Sequence, residues 1–207
     1  MSQNYPIVGV AKGPHIKTMR KYNIRYPNMY IYPEFFDDKE FLIHGGPNAY
    51  IQYVKLLVKK IREIKIALYP DYTPLTKVEK IANLDVLRLI TFIVPIHSLD
   101  SDLEIVDQLK ENGFRYFYGY SATPGLHDYT LDDFFRRIEP DKAWYLGASG
   151  WNDLKVVIRY QFPALDVGGY FMEKRRYFYE ADKVKQMFDE IYKYLMQKNS
   201  TLFDYIK

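Results

Sequence analysis

Asp166 is the residue whose surroundings point most directly to chemistry. It stands inside an apolar run, Phe162-Pro-Ala-Leu-Asp-Val167, ahead of Gly168 and Gly169. A carboxylate set among apolar residues is partly desolvated and can serve as nucleophile or base. The same side chain can instead cap the turn that the two glycines make. Asp71 follows the β-type run 64–69 and precedes Thr73-Pro74, so it is either a site carboxylate or a helix cap. His44 precedes Gly45-Gly46 and His97 precedes Ser98. A lone histidine at a strand end is either a proton carrier or a structural residue. Gly119-Tyr120-Ser121 and Gly147-Ala148-Ser149 complete the set of polar or glycine-bearing strand ends, and Lys174-Arg175-Arg176 offers either a phosphate contact or a solvated turn.

Several chemistries are excluded. The chain has no cysteine, which removes disulfide scaffolds, thiolate nucleophiles and thiolate-bound zinc or iron–sulfur centres. The four histidines lack metal-ligand spacing, and no metal or other cofactor is expected. No Gly-x-Ser-x-Gly elbow and no glycine-rich phosphate loop occurs. With 29 basic and 26 acidic residues, the net charge of +3 permits nucleic-acid binding without requiring it. The 21 tyrosines can stack on bases or simply pack. The longest apolar run, 89–96, is far short of the about 20 residues that cross a bilayer. The first residues lack a basic stretch followed by an apolar core, so an intracellular, cytoplasmic protein is expected.

The elements that must position these residues alternate in type. Strands are expected at 29–32, 64–69, 89–94, 114–119, 142–147 and 164–167, with a short apolar run at 41–43. Between them lie helical faces: Tyr50, Val54, Leu57 and Ile61; Val78, Ile81, Leu84 and Leu87 behind a Thr73 cap; Leu103, Val106 and Leu109, stopped by Asn112-Gly113. A capping box opens a helix at Thr130, another helix covers 152–160, and a last one carries Val184, Phe188, Ile191 and Leu195. Repeated β-α alternation with short connections predicts an α/β fold with a parallel sheet, one domain over 1–207. The sheet is either open and doubly wound or closed into a small, trimmed (β/α) TIM-type barrel. In both, functional residues gather past the C-terminal strand ends.

Tyr145-Leu-Gly-Ala-Ser-Gly-Trp-Asn-Asp-Leu154 followed by Leu165-Asp166 resembles the C-terminal barrel segment of the tRNA-guanine transglycosylases. Phe92-Ile-Val94, Asn112-Gly-Phe-Arg-Tyr-Phe-Tyr-Gly119, Ala67-Leu-Tyr-Pro-Asp-Tyr-Thr-Pro74 and His44-Gly45-Gly46 are similar to further family stretches in the same order. The resemblance covers about residues 41 to 176 and implies the barrel. It also implies that Asp166 is the covalent nucleophile. The departures are specific: the family's zinc cysteines are missing, Ile43 stands at its early acid/base Asp, Pro70 at its base-reading Asp, and Pro95 or Ile96 at its glutamine. This pattern looks closest to the divergent paralogues that insert 7-deazaguanines into DNA.

The resemblance therefore implies base exchange in DNA or tRNA, with guanine replaced by a 7-deazaguanine. His44 would move the proton. Asp71, His97, Gly119 and Tyr120 would line the base pocket, and Lys174, Arg175 and Arg176 would hold phosphate. A non-catalytic nucleic-acid-binding barrel and a barrel enzyme of other chemistry are the alternatives. Asp166→Asn is expected to abolish exchange with the fold intact.

Overall fold

The computed structural model describes residues 5–38, 46, 48–123, 125–168, 171 and 179–196. Eight strands run in the order β1 (Ile7–Val10), β2 (Met29–Ile31), β3 (Phe35–Phe36), β4 (Ile66–Leu68), β5 (Thr91–Ile96), β6 (Arg115–Ser121), β7 (Ala143–Ala148) and β8 (Ala164–Val167). They form one sheet, β2-β1-β8-β7-β6-β5-β4-β3, in which every pairing is parallel. The sheet curls into a nearly closed barrel, the small TIM-type architecture expected over the open sheet. Its two edges, β2 and β3, are joined by a short turn in which the Glu34 amide donates to the Ile31 carbonyl. Beyond the strand ends, Lys12 meets Asp38 at 3.3 Å across the seam.

Helices fill the connections: α1 (His15–Lys21), α2 (Ala49–Lys59), α3 (Leu75–Val78), α4 (Leu84–Leu87), α5 (Ser101–Glu111), α6 (Leu131–Arg137), α7 (Trp151–Arg159) and α8 (Ala181–Met196). The local signals explain most of their limits. Gly113, at φ +72°, ends α5 in the left-handed conformation that glycine adopts without a Cβ clash. Thr130 and Asp133 form the expected capping box on α6. One expectation fails. Thr73 does not cap a long helix; its hydroxyl donates to the Asp71 carbonyl, and the stretch breaks into α3 and α4, the second capped by Asn83. Asn83 competes for the backbone amide two residues on, which interrupts the helix. Three elements went unpredicted: β1, α1 and β3. The run 41–43 lies outside the described residues.

Alternation along the strands sorts side chains into two layers. The inner cluster is Phe35, Ile66, Leu68, Ile93, Trp144, Leu146 and Ala164. The Phe35 ring stacks on the Trp144 indole at 5.5 Å and 4°. A Cβ on Gly9 would lie 2.8 Å from the Phe35 ring, so glycine is needed there for β3 and β7 to meet across the axis. The interior is thus a packed aromatic core, not a pore. The outer cluster lies between strands and helices and holds most of the remaining core. Among the described residues, no helix is long and apolar enough to cross a membrane.

Candidate active site at the mouth of the barrel

A parallel sheet brings all its C-terminal strand ends to one face. Asp71, His97, Ser121, Gly147 and Asp166 therefore share that end of the barrel. They divide into two groups on different strands.

Asp166 pairs in register with Gly9 of β1 and points into the barrel. It is 3% exposed. Its Oδ1 accepts from the Trp144 indole Nε1 at 3.0 Å, and its Oδ2 accepts from the Gly147 amide at 3.1 Å. The second bond depends on a β-bulge. Tyr145 pairs with Leu165 and Ala148 with Val167, so Leu146 and Gly147 together face the single residue Asp166. Gly147 takes φ +77°, which turns its N–H inward, and such bulges commonly re-aim groups beside functional sites. Gly147 itself is exposed, so the carboxylate lies directly below the rim.

Both carboxylate oxygens accept from N–H groups, and this corrects the expectation for Asp166→Asn. An amide presents one N–H₂, which must meet either the indole N–H or the Gly147 N–H. The substitution therefore disturbs the fold as well as the charge.

The second group lies past β4 and β5. The His97 Nδ1 is 2.8 Å from the Leu126 carbonyl, and its Nε2 is 3.6 Å from Asp71 Oδ2. The Asp71 side chain is 39% exposed and that of His97 14%. The imidazole's backbone is fixed because the buried Asp102 carboxylate accepts from the amides of both His97 and Ser98, at 2.7 and 2.9 Å. The Asp71 carboxylate raises the His97 pKa most; burial opposes it, and the Leu126 carbonyl and Asp102 add to the rise. Tyr72, at φ +53°, rests its exposed ring 5.2 Å from the imidazole. Asp71 thus faces a partner rather than capping a helix.

The other expected residues are placed differently. Gly119 faces inward, but a Cβ there would lie 2.6 Å from Leu146 and 2.9 Å from Ile93, so packing takes its space. Tyr120 does not join the mouth. As the next residue in β6 it faces outward, against Phe134, Tyr145 and Phe162. Ser149 donates to Asp153 in the α7 cap rather than standing as a nucleophile. His44, Lys174, Arg175 and Arg176 lie outside the described residues. Gly147 is among the strand ends noted from the sequence, whereas Trp144 and Leu126 are not; alternation puts Trp144 on the Leu146 face, but not against Asp166. A shallow recess of about 490 Å³ lined by Pro140, Arg159 and Pro163 opens beside the start of β8, away from these groups. Among the described residues, no three His, Asp or Glu side chains gather as a metal site.

The fold and this arrangement define a small all-parallel (β/α) barrel with carboxylates and an imidazole at its C-terminal end. No family model matches the chain. It is 30% identical over 181 residues, 85% of this chain and 88% of the relative, to the uncharacterized protein ORF192 of Acidianus two-tailed virus. The chain belongs to the same family as that viral protein.

Proposed function

We propose that the barrel is a base-exchange transglycosylase that replaces guanine in DNA or tRNA with a 7-deazaguanine through a covalent intermediate on Asp166. The observation that carries the reading is the Asp166 carboxylate, held below the rim by the Trp144 indole and the Gly147 amide. In the first step a carboxylate oxygen bonds to the sugar C1′. The C1′–N9 bond breaks, its electron pair leaves with guanine, and guanine takes up a proton. In the second step the incoming base loses its N9 proton and bonds to C1′, and the ester electrons return to Asp166. An oxocarbenium-like transition state favours an anion close enough to bond. Hydrogen bonds that fix that anion keep it aligned. His44 is the proton carrier in this reading.

The test is incubation of the protein with DNA or tRNA and labelled guanine or 7-deazaguanine. Incorporation, together with an acid-stable adduct mapped to the peptide containing Asp166, is the expected result. Incorporation without an adduct on that peptide rejects the nucleophile. No incorporation into either polymer rejects the reaction.

A second reading, a non-catalytic nucleic-acid-binding barrel, is favoured by one observation. Asp166 is 3% exposed and accepts from two N–H groups, as a structural anchor for the β7 bulge would. Binding of DNA or RNA with no incorporation selects it.

A further inference from the structure

We propose that His97 is a proton-operated clasp that holds residues 125–130 over the β4–β5 side of the barrel mouth. It is closed while both ring nitrogens carry a proton and released when one is lost.

The inference rests on what faces the ring. Nδ1 meets a backbone carbonyl, Leu126 O, at 2.8 Å. Nε2 meets a carboxylate, Asp71 Oδ2, at 3.6 Å. Both are acceptors with no hydrogen to give. A neutral imidazole has one N–H and one lone pair. In the tautomer protonated at Nδ1, the Nε2 lone pair faces the carboxylate. In the other, the Nδ1 lone pair faces the carbonyl. Nε2 is shielded from water and makes no hydrogen bond of ordinary length, so solvent does not relieve its clash with the carboxylate. Only the imidazolium suits both neighbours at once.

The charged and titratable groups around the ring agree. From the end of β4 come the Asp71 carboxylate and the Tyr72 ring. From α5 comes Asp102, whose carboxylate binds the His97 amide. The loop contributes a carbonyl. This surrounding is negative or neutral, and it raises the His97 pKa, led by Asp71.

Residues 125–130 are built to respond. Their base is anchored: the Tyr129 hydroxyl donates to the Ile96 carbonyl, the His127 and Tyr129 rings stack at 4.7 Å, and Thr130 opens α6. Their tip is lightly held. Gly125 sits at φ +81°, Leu126 is 46% exposed, and the Leu126 amide reaches the Thr123 carbonyl at 3.4 Å. The His97 bond to Leu126 is the contact that ties this tip to β5. Because the folded pKa is raised, the clasp is fully present below the unfolded value of about 6.5 and is lost as pH rises through the folded value. Release uncovers the Asp71–His97 pair. The clasp does not depend on which reaction the barrel performs.

The test uses the full chain with labelled histidine. The ¹⁵N resonances of His97 should show both nitrogens protonated at pH 6, with a midpoint above about 6.5. Amide exchange at Leu126, corrected for its intrinsic base dependence, should accelerate about tenfold across that midpoint. Asp71→Asn should lower the midpoint, and His97→Gln should leave exchange flat over the same range. A His97 with a single N–H at pH 6, or loop exchange unchanged through its titration in the unaltered protein, overturns the clasp.

Discussion

On the β7–β8 side of the mouth, Asp166 is 3% exposed and accepts from an indole and a backbone amide. On the β4–β5 side, the Asp71 side chain is 39% exposed and faces an imidazole. Neither donor to Asp166, an indole N–H and a backbone amide, titrates in any ordinary pH range, so both remain donors as pH changes. The Asp71 partner is an imidazole whose pKa that carboxylate raises, so that arrangement is conditional on its proton. One fold thus carries a fixed carboxylate and a switchable one at the same end. The difference comes from what each neighbouring strand presents: an inward indole and a bulged glycine in one case, a strand-end histidine in the other.

The strongest way to break the fixed side is Trp144→Ala. It empties the middle of the barrel, where the indole stacks on Phe35 and bonds Asp166. A loss of about 4 kcal/mol in urea unfolding is expected. Trp144→Phe keeps most of the ring and removes the donor. It should cost about 1–3 kcal/mol, and no change would show that the indole–carboxylate bond contributes nothing.

Titration next sets His97, on the β4–β5 side, against a buried histidine outside both groups. His15, at the start of α1 beside β1, is fully buried, and burial lowers its pKa to about 4. Its folded pKa is depressed, so its contribution is present above the unfolded value of about 6.5 and is lost as pH falls toward the folded one. The loss is on the order of 3 kcal/mol. His97 has the opposite sign, its contribution fading as pH rises. Thermal melts from pH 4 to 9 should therefore decline at both ends. His15→Gln should flatten the acid limb and His97→Gln the alkaline one. A mutant that flattens the wrong limb refutes the contrast.

Asp166→Asn should cost about 1–3 kcal/mol, because the new amide turns a donor toward Trp144 or Gly147. Asp71→Asn, half-exposed, should change stability by less than about 1 kcal/mol while shifting the His97 titration. Equal costs for the two would erase the distinction. A comparably small effect is expected of Thr130→Ala, which removes the α6 cap at the base of the clasp loop. About 1 kcal/mol is expected by thermal melting, with faster exchange at residues 125–130.

Strands β4 to β8 were legible because each is an apolar, β-rich run between turn residues, and Ala164–Val167 matches its expected span. β1 and β3 were not. Phe35–Phe36 is too brief for a period of two to register, while Ile7–Val10 is as long as β8 yet went unread; both are placed by pairing, with β4 and β8 respectively. The site divides the same way. Asp166 drew attention as a carboxylate in an apolar run, and Asp71 and His97 as polar strand ends. Tyr120 also ends a strand, but alternation within β6 sends its ring outward, against Phe134.

By itself the sequence determined the order and type of the principal elements, the parallel sheet they imply and the carboxylate buried within β8. Those follow from local periodicity and composition, which act over a few residues. Only the tertiary structure decided what meets that carboxylate and what meets His97. Trp144 reaches Asp166 through the register of β7 on β8, and Gly147 turns its amide inward only because the bulge sets two residues against one. Leu126 reaches His97 from a loop 29 residues along the chain. Hydrogen bonds are directional and short, so a partner is defined by strand register and loop path, which no local pattern encodes.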